Sequence, residues 1–248
     1  MHITPLKTTP IKPNDSLTAL LDTYVPPLKE GSILALSSKI VSICEGRIVS
    51  TETVSSKYPL IQQEAEAILE VSSNPYDIHL TLIHGILIPS AGVDESNCQG
   101  HYILYPKDPQ QSATQIWEHL RKRDNLKCLG IILTDSRSTP LRCGVMGVAL
   151  SWCGLNPLYS YVGKPDIYGK SLRTTHTNCI DALAASAVLA MGEGAEQTPL
   201  VLMTDALRIE FMDHPPSAEE LSYFKIPMDK DIYAPLLEGG TWIYQGNK

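Results

Sequence analysis

Two carboxylates that stand where apolar segments give way to loops, Asp94 and Asp135, are the residues of this 248-residue chain best suited to chemistry. The first lies in GILIPSAGVDESN, where an apolar run meets a turn of Pro89, Ser90 and Gly92 that delivers Asp94, Glu95, Ser96 and Asn97. Small residues let backbone amides face a ligand there, and Asp94 and Asn97 offer hard oxygen donors of the kind divalent cations take. An Asx turn, with Asp94 satisfying its own backbone, would leave the same signature. The second lies in GIILTDSRSTPLRCG, a strand ending on Thr134, Asp135 and Ser136 before a loop with Arg137, Pro140, Arg142 and Gly144. A carboxylate at the end of a central strand is a favoured position for magnesium or manganese. A turn or helix cap by Asp135 or Ser136 is the alternative. Arg142 adds a planar donor suited to phosphate or carboxylate.

A third stretch, YVGKPDIYGKSLRTTHTNCID, concentrates Lys164, Asp166, Tyr168, Lys170, Arg173, His176 and Asp181 ahead of an alanine-rich segment. Such density between apolar segments reads as an anion pocket near a helix N-terminus. His176 is a base or a structural hydrogen-bonding residue, and Asp181 a second candidate base or a complement to the helix dipole. No GxxxxGK[ST] occurs, and GEGAE at Gly192 to Glu196 follows a helix instead of joining a strand to one. GxSxG and HExxH are also absent.

The elements that must position these residues follow from periodicity. HITPLKTTPI alternates weakly, and SLTALLDTYV is a helix closed by Pro26 and Pro27, which cannot supply the N–H of a continuing turn. SILALSSKIVSIC reads as strand, Lys57 to Val71 as an amphipathic helix, and HLTLIHGILIPSAGV as strands with a hairpin pivoting at Gly85. PQQSATQIWEHLRKR is a helix with Ala113, Ile116, Trp117 and Leu120 on its buried side. LKCLGIILTD, apolar on both faces, belongs at the centre of a sheet. GVMGVALSWCG fits strand or glycine-rich helix, Ile180 to Met191 a helix needing close packing, PLVLMTDA a strand, and Glu219 to Phe224 a short helix. Strands and helices without regular βαβ spacing predict a mixed α/β or α+β fold, neither Rossmann nor P-loop.

Composition narrows the classes. With 43% hydrophobic and 19% charged residues the composition is ordinary for a globular enzyme and unlike that of a disordered chain. A net charge of −7 repels nucleic acid and anionic membranes. It does not forbid a phosphate ligand, because bound divalent cations would supply the missing positive charge locally. The six cysteines show no CxxC pair, and the chain begins without a signal peptide. Reduced thiols and a cytoplasmic location are expected. No apolar run approaches the ~18 residues of a membrane-spanning helix.

Taken in order, SSKIVSICEGRIV, IPSAGVDESN, GIILTDSRSTPLRCG, YVGKPDIYGKSLRTT and DALAASAVLAMGEGAEQTPL resemble the gamma-glutamyl ligases that extend the tail of the deazaflavin coenzyme. The likeness runs from Pro5 to about Asp205 and is closest to the branch labelled folate-metabolism gamma-glutamate ligase. It implies a family-specific ligase fold over residues 1–248, a single ligase domain with two intertwined subdomains, and a homodimer. It also implies a GTP- or ATP-dependent reaction in which the carboxylate of a folate-like or deazaflavin acceptor becomes an acyl phosphate and is captured by L-glutamate. Magnesium or manganese, and potassium, would accompany the nucleotide.

On this resemblance Asp94 and Asp135 match the metal aspartates, Ser136 the hydroxyl beside the second, and Asn97 a nucleotide contact. Further nucleotide contacts fall at Thr8, Thr9, Pro10 and Ile11 and at Ser38 and Lys39. The chemistry itself makes Arg142, Lys170 and Arg173 candidates for further anion clamps, and His176 or Asp181 the candidate acid–base group. The sequence departs from the family at Ile43, where many members carry lysine, at Ser136 to Arg142 and at His176. The competing functions are a metal-dependent nucleotide phosphohydrolase and a nucleotide-responsive binding protein. If Asp135 holds metal for the transferring phosphoryl group, Asp135→Asn lowers turnover by at least ~100-fold; steady-state kinetics showing comparable activity, with metal affinity unchanged, would remove that assignment.

Overall fold

The computed structural model describes residues 1–71 and 76–246. Its main sheet has five strands in the order β1 (His2–Leu6), β12 (Leu200–Thr204), β2 (Ser32–Ser37), β8 (Leu129–Ser138) and β9 (Val145–Cys153). Only β2 and β8 run parallel; the other neighbours are antiparallel. The apolar run LKCLGIILTD, expected at a sheet centre, lies there as β8, and β2 lies beside it; both have both faces covered. Leu34, Leu36, Leu129, Ile131 and Leu133 pack under α1 (Leu17–Tyr24) and α4 (Pro109–Asp124). Ile33, Ala35, Ile132, Val201 and Met203 pack under α5 (Cys179–Met191). The architecture is therefore mixed α/β, as the unequal spacing of the elements implied.

A second, four-stranded sheet has the order β13 (Trp242–Tyr244), β4 (Ala67–Leu69), β5 (Leu80–Ile83), β6 (Ile86–Pro89), and all its pairings are antiparallel. With the short pair β3 (Ile48–Ser50) and β7 (His101–Ile103), it encloses a third core through Leu60, Ile61, Ile68, Ile88, Val93 and Tyr105. The β5–β6 hairpin turns at Gly85, where His84 and Gly85 both have positive φ, 53° and 74°. A two-residue turn that follows the strand twist requires that pair of left-handed conformations. A separate ribbon, β10 (Leu158–Ser160) with β11 (His176–Asn178), precedes α5, and α6 (Ala218–Phe224) and α7 (Ala234–Leu237) follow the main sheet.

Two segments differ from their sequence reading. SILALSSKIVSIC is not one strand: β2 stops at Ser37 and α2 covers Ser38–Cys44. An apolar run so short fits strand or helix, and the helix lets Ile40 and Val41 turn back into the core under α1 and α4. The helix expected over Lys57 to Val71 ends earlier, since α3 spans Tyr58–Glu64 and Ala65 is already extended. Ala67 and Ile68 gain pairing with β5 and β13, which local periodicity does not register. GVMGVALSWCG proves to be strand β9. The other expected helices, at Leu17–Tyr24, Pro109–Asp124, Cys179–Met191 and Ala218–Phe224, form as read. Among the described residues no helix is long and apolar enough to cross a membrane.

The small residues of α5 and β9 bring two backbones together. A Cβ on Gly147 would stand 2.3 Å from the carbonyl oxygen of Ala184, an atom that cannot swing aside. Gly147→Ala is therefore expected to lower stability by about 1–3 kcal/mol through overpacking; an unchanged urea midpoint would show that α5 does not sit against β9 in this way.

Candidate active site

The ends of β2 and β8, the turn after β6 and the loop after α5 meet around a cleft of about 550 Å³. Thr8, Thr9, Pro10 and Ile11 form one wall, Lys39 and Ile43 of α2 another, and Asp94 to Gln99 a third. Thr134, Asp135 and Ser136 close the floor, and Gly192 to Pro199 form the rim. Ser38 is buried beneath the cleft and does not line it.

Asp94 arrives by way of a tight turn in which Ser90, Ala91 and Gly92 all have positive φ, at 52°, 51° and 69°. Such a run is uncommon for residues other than glycine. Thr81 holds it: the hydroxyl accepts the Ala91 N–H at 2.8 Å and donates to the Ile88 carbonyl at 2.6 Å. The Asp94 backbone then exchanges hydrogen bonds with Ile103 of β7. Asp94 Oδ1 accepts the Ser96 N–H at 2.8 Å, so the Asx turn is present. It does not exhaust the carboxylate, because Oδ2 faces Lys39 Nζ at 2.6 Å and accepts from Ser96 Oγ at 3.0 Å. Burial pushes the Asp94 pKa up, but Lys39 and the Ser96 amide and hydroxyl outweigh it and hold the carboxyl below its usual value.

Asp135 stands opposite on β8, after a bulge between Leu133 and Thr134 that turns the strand end toward the cleft. Its Oδ2 accepts a hydrogen bond from the hydroxyl of Tyr105, a residue 3% exposed. Burial dominates here and the nearby Asp94 charge adds to it. Hydrogen bonds from Tyr105 and the Ser136 amide offset only part, and the pKa rises to about 6. Ser136 Oγ donates to Glu193 Oε2 at 3.4 Å, at the outer limit of a hydrogen bond.

The rim is tied to the walls. Asn97 Nδ2 donates to the Gly194 carbonyl at 3.1 Å, the Thr8 N–H to the Gln197 carbonyl at 2.9 Å, and the Ser37 N–H to the Pro199 carbonyl at 2.9 Å. Glu196 folds back to accept the Gly194 N–H at 2.8 Å.

Arg142, Lys170, Arg173 and His176 do not line this cleft and are exposed, Arg142 in the β8–β9 turn and the others on the β10–β11 excursion. The His176 ring contacts the Thr174 carbonyl at 3.0 Å. Asp181 is fully used in structure: Oδ1 accepts the Ala149 N–H at 2.9 Å and Oδ2 accepts from Asn178 Nδ2 at 2.7 Å.

The donor set suits magnesium or manganese. Among the described residues no group of three or more His, Cys, Asp or Glu gathers as a metal cage. Magnesium, however, is commonly held by one or two carboxylates with waters and phosphate oxygens. Asp94 and Asp135 are close enough for one charge to raise the other's pKa, and a divalent cation would relieve that repulsion. Glu193 and the Gly192 to Pro199 rim line the cleft, and Tyr105 backs it, without being assigned a site role by sequence pattern. GEGAE stands out in the sequence as a poor P-loop and as part of a ligase-like block, without a role in the site, and nothing local marks Tyr105 in YILYP.

A family model described as F420-0:Gamma-glutamyl ligase matches residues 5–205. A coenzyme F420:L-glutamate ligase of Methanopyrus kandleri is 34% identical over 210 residues, covering 77% of this chain and 81% of that protein. Proteins of the same description from Methanothermobacter thermautotrophicus and Halorubrum lacusprofundi are 34% and 32% identical over 194 and 225 residues. Those alignments cover 71% and 82% of this chain, and 75% and 85% of the relatives. Fold, site and matches together define an enzyme, a nucleotide-dependent acid–amino-acid ligase. The chain belongs to the F420-0:gamma-glutamyl ligase family. That finding corrects the expected kinship with a folate-metabolism branch, because the model and these relatives are described by coenzyme F420.

Asp135 also makes the site a local liability. Its folded pKa lies above the ordinary carboxylate value, so the folded state binds the proton more tightly than the unfolded chain does. The resulting stability is complete below ~4 and is lost as pH rises through about 6. Asp135→Asn should therefore unfold at higher temperature than the wild type at pH 7 in chelator, with the gap closing at ~pH 4; a gap independent of pH would contradict the burial of this charge.

Proposed function

We propose that this chain lengthens the tail of the deazaflavin coenzyme F420 by a gamma-linked L-glutamate, using GTP or ATP. The terminal phosphoryl group passes to an oxygen of the acceptor carboxylate and the nucleoside diphosphate departs. The neutral amine of L-glutamate then attacks the acyl carbon, phosphate leaves, and an amide remains. The observation that carries this reading is the meeting of Asp94, Asp135 and Lys39 in a cleft rimmed by the Gly192 to Pro199 backbone.

Asp94, Asp135 and Ser136 would hold magnesium or manganese, which when bound neutralises the phosphates and polarises the transferring group. Potassium beside the nucleotide belongs to the same reading. Thr8 to Ile11, Lys39 and Asn97 bind and orient the nucleotide, Asn97 while holding the rim at Gly194, whereas Ser38, expected to do the same, is buried at the start of α2 outside the cleft lining. Lys39 places its charge between Asp94 and Ser96, on the cleft wall, where a phosphate oxygen can share it. The rim excludes water, which would hydrolyse an acyl phosphate.

Arg142, Lys170, Arg173 and His176 are exposed outside the cleft of one protomer. Their roles as anion clamps and acid–base group therefore require the homodimer of intertwined protomers that we include in this proposal, with residues 1–248 as one ligase domain. Six free cysteines accord with a cytoplasmic enzyme.

The decisive experiment incubates the protein with GTP or ATP, magnesium or manganese, L-glutamate and the deazaflavin acceptor, and follows product by mass spectrometry. A glutamyl adduct that requires all components is expected. Phosphate release indifferent to glutamate and acceptor would replace the ligase with a phosphohydrolase, and retained nucleotide without product would leave a binding protein.

A further inference from the structure

Tyr105 has no part in the chemistry above, yet it touches both segments that carry the carboxylates. Its ring lies over Gly92, two residues before Asp94: a Cβ on Gly92 would stand 2.0 Å from the ring Cζ. Its main chain is held as well, since the Tyr105 carbonyl accepts from Arg47 Nε at 2.9 Å and Arg47 is paired with Glu64. With ring and backbone both fixed, the hydroxyl is directed at Asp135 Oδ2 and donates to it. Asp94 bridges to β7, in a small sheet, whereas Asp135 belongs to β8 of the main one. One side chain thus spans the gap between two carboxylates that no shared strand holds in register.

A carboxylate gripped through one oxygen by a buried donor presents the other in a fixed direction, and partners of this kind orient metal ligands. We propose that Tyr105 is a positioning residue whose hydroxyl presets Asp135 to receive the divalent cation that accompanies the nucleotide, an inference that rests on the metal-dependent reading of the site. The competing role is packing alone, with the ring filling space above Gly92 and the hydroxyl taking the nearest acceptor.

Two variants separate these roles. Tyr105→Phe keeps the ring and removes the hydroxyl, while Tyr105→Leu removes both. The readout is Mn²⁺ affinity of the full chain, titrated by electron paramagnetic resonance without nucleotide, glutamate or acceptor. Both variants are expected to bind Mn²⁺ ~10-fold or more weakly than wild type. Unchanged affinity in Tyr105→Phe overturns the proposal, and so does a loss confined to Tyr105→Leu, which would assign the effect to packing. A wild-type chain that takes up no Mn²⁺ overturns it together with the metal assignment. Wild-type binding with weakened variants, but no glutamyl product, upholds Tyr105 and sinks only the ligase reading.

Discussion

Keeping two carboxylates close to each other on the lining of one cleft is the constraint around which this molecule is arranged. Charged carboxylates lose hydration when they are buried, and each makes the other harder to ionise. Lys39 and the Ser96 amide and hydroxyl settle the matter for Asp94. Asp135 receives only neutral donors, from Tyr105 and its own neighbour's amide, and stays poised near neutrality. A site left short of positive charge in this way would suit a ligand that brings cations with it, as the proposed function requires. A polyphosphate nucleotide with its metals is such a ligand.

The fold serves that constraint by bringing together ends. Central strands β2 and β8 run parallel, so both finish on the same side, delivering Lys39 just past one and Asp135 within the other. Open α/β sheets favour this edge for ligands because loops there can approach without disturbing the core. The second sheet contributes Asp94 from outside, through a turn whose left-handed residues are held by Thr81.

Much of this could be read from residue order. The continuous apolar run at Ile131 to Leu133 announced a strand covered on both faces, Ile33 to Leu36 announced a strand, and Trp117 and Leu120 announced a helix with a buried side. Asp94 and Asp135 stood out because each follows such a run. What escaped depends on distance along the chain. Ala67 and Ile68 continue a helical period but pair with β5 and β13, and Ser38 to Cys44 reverses into a helix because of what lies over it. Tyr105 acts through Gly92 and Asp135, and the Gly192 to Pro199 rim acquires meaning only once Thr8, Ser37 and Asn97 are seen bonded to it. The likeness to ligases gave the enzyme class and misjudged the branch, since the blocks that carry it say little about the acceptor.

The close approach of α5 to β9 has a meaning beyond packing. The helix starts where Asp181 is moored to the Ala149 amide, touches the strand at Gly147, and ends at the rim. It therefore works as a gauge block: the height of its small side chains over the sheet sets how far the rim stands from the carboxylates. Drift in the sizes of residues such as Ala184 or Ala187 would resize the mouth of the cleft while every residue that lines it stayed the same.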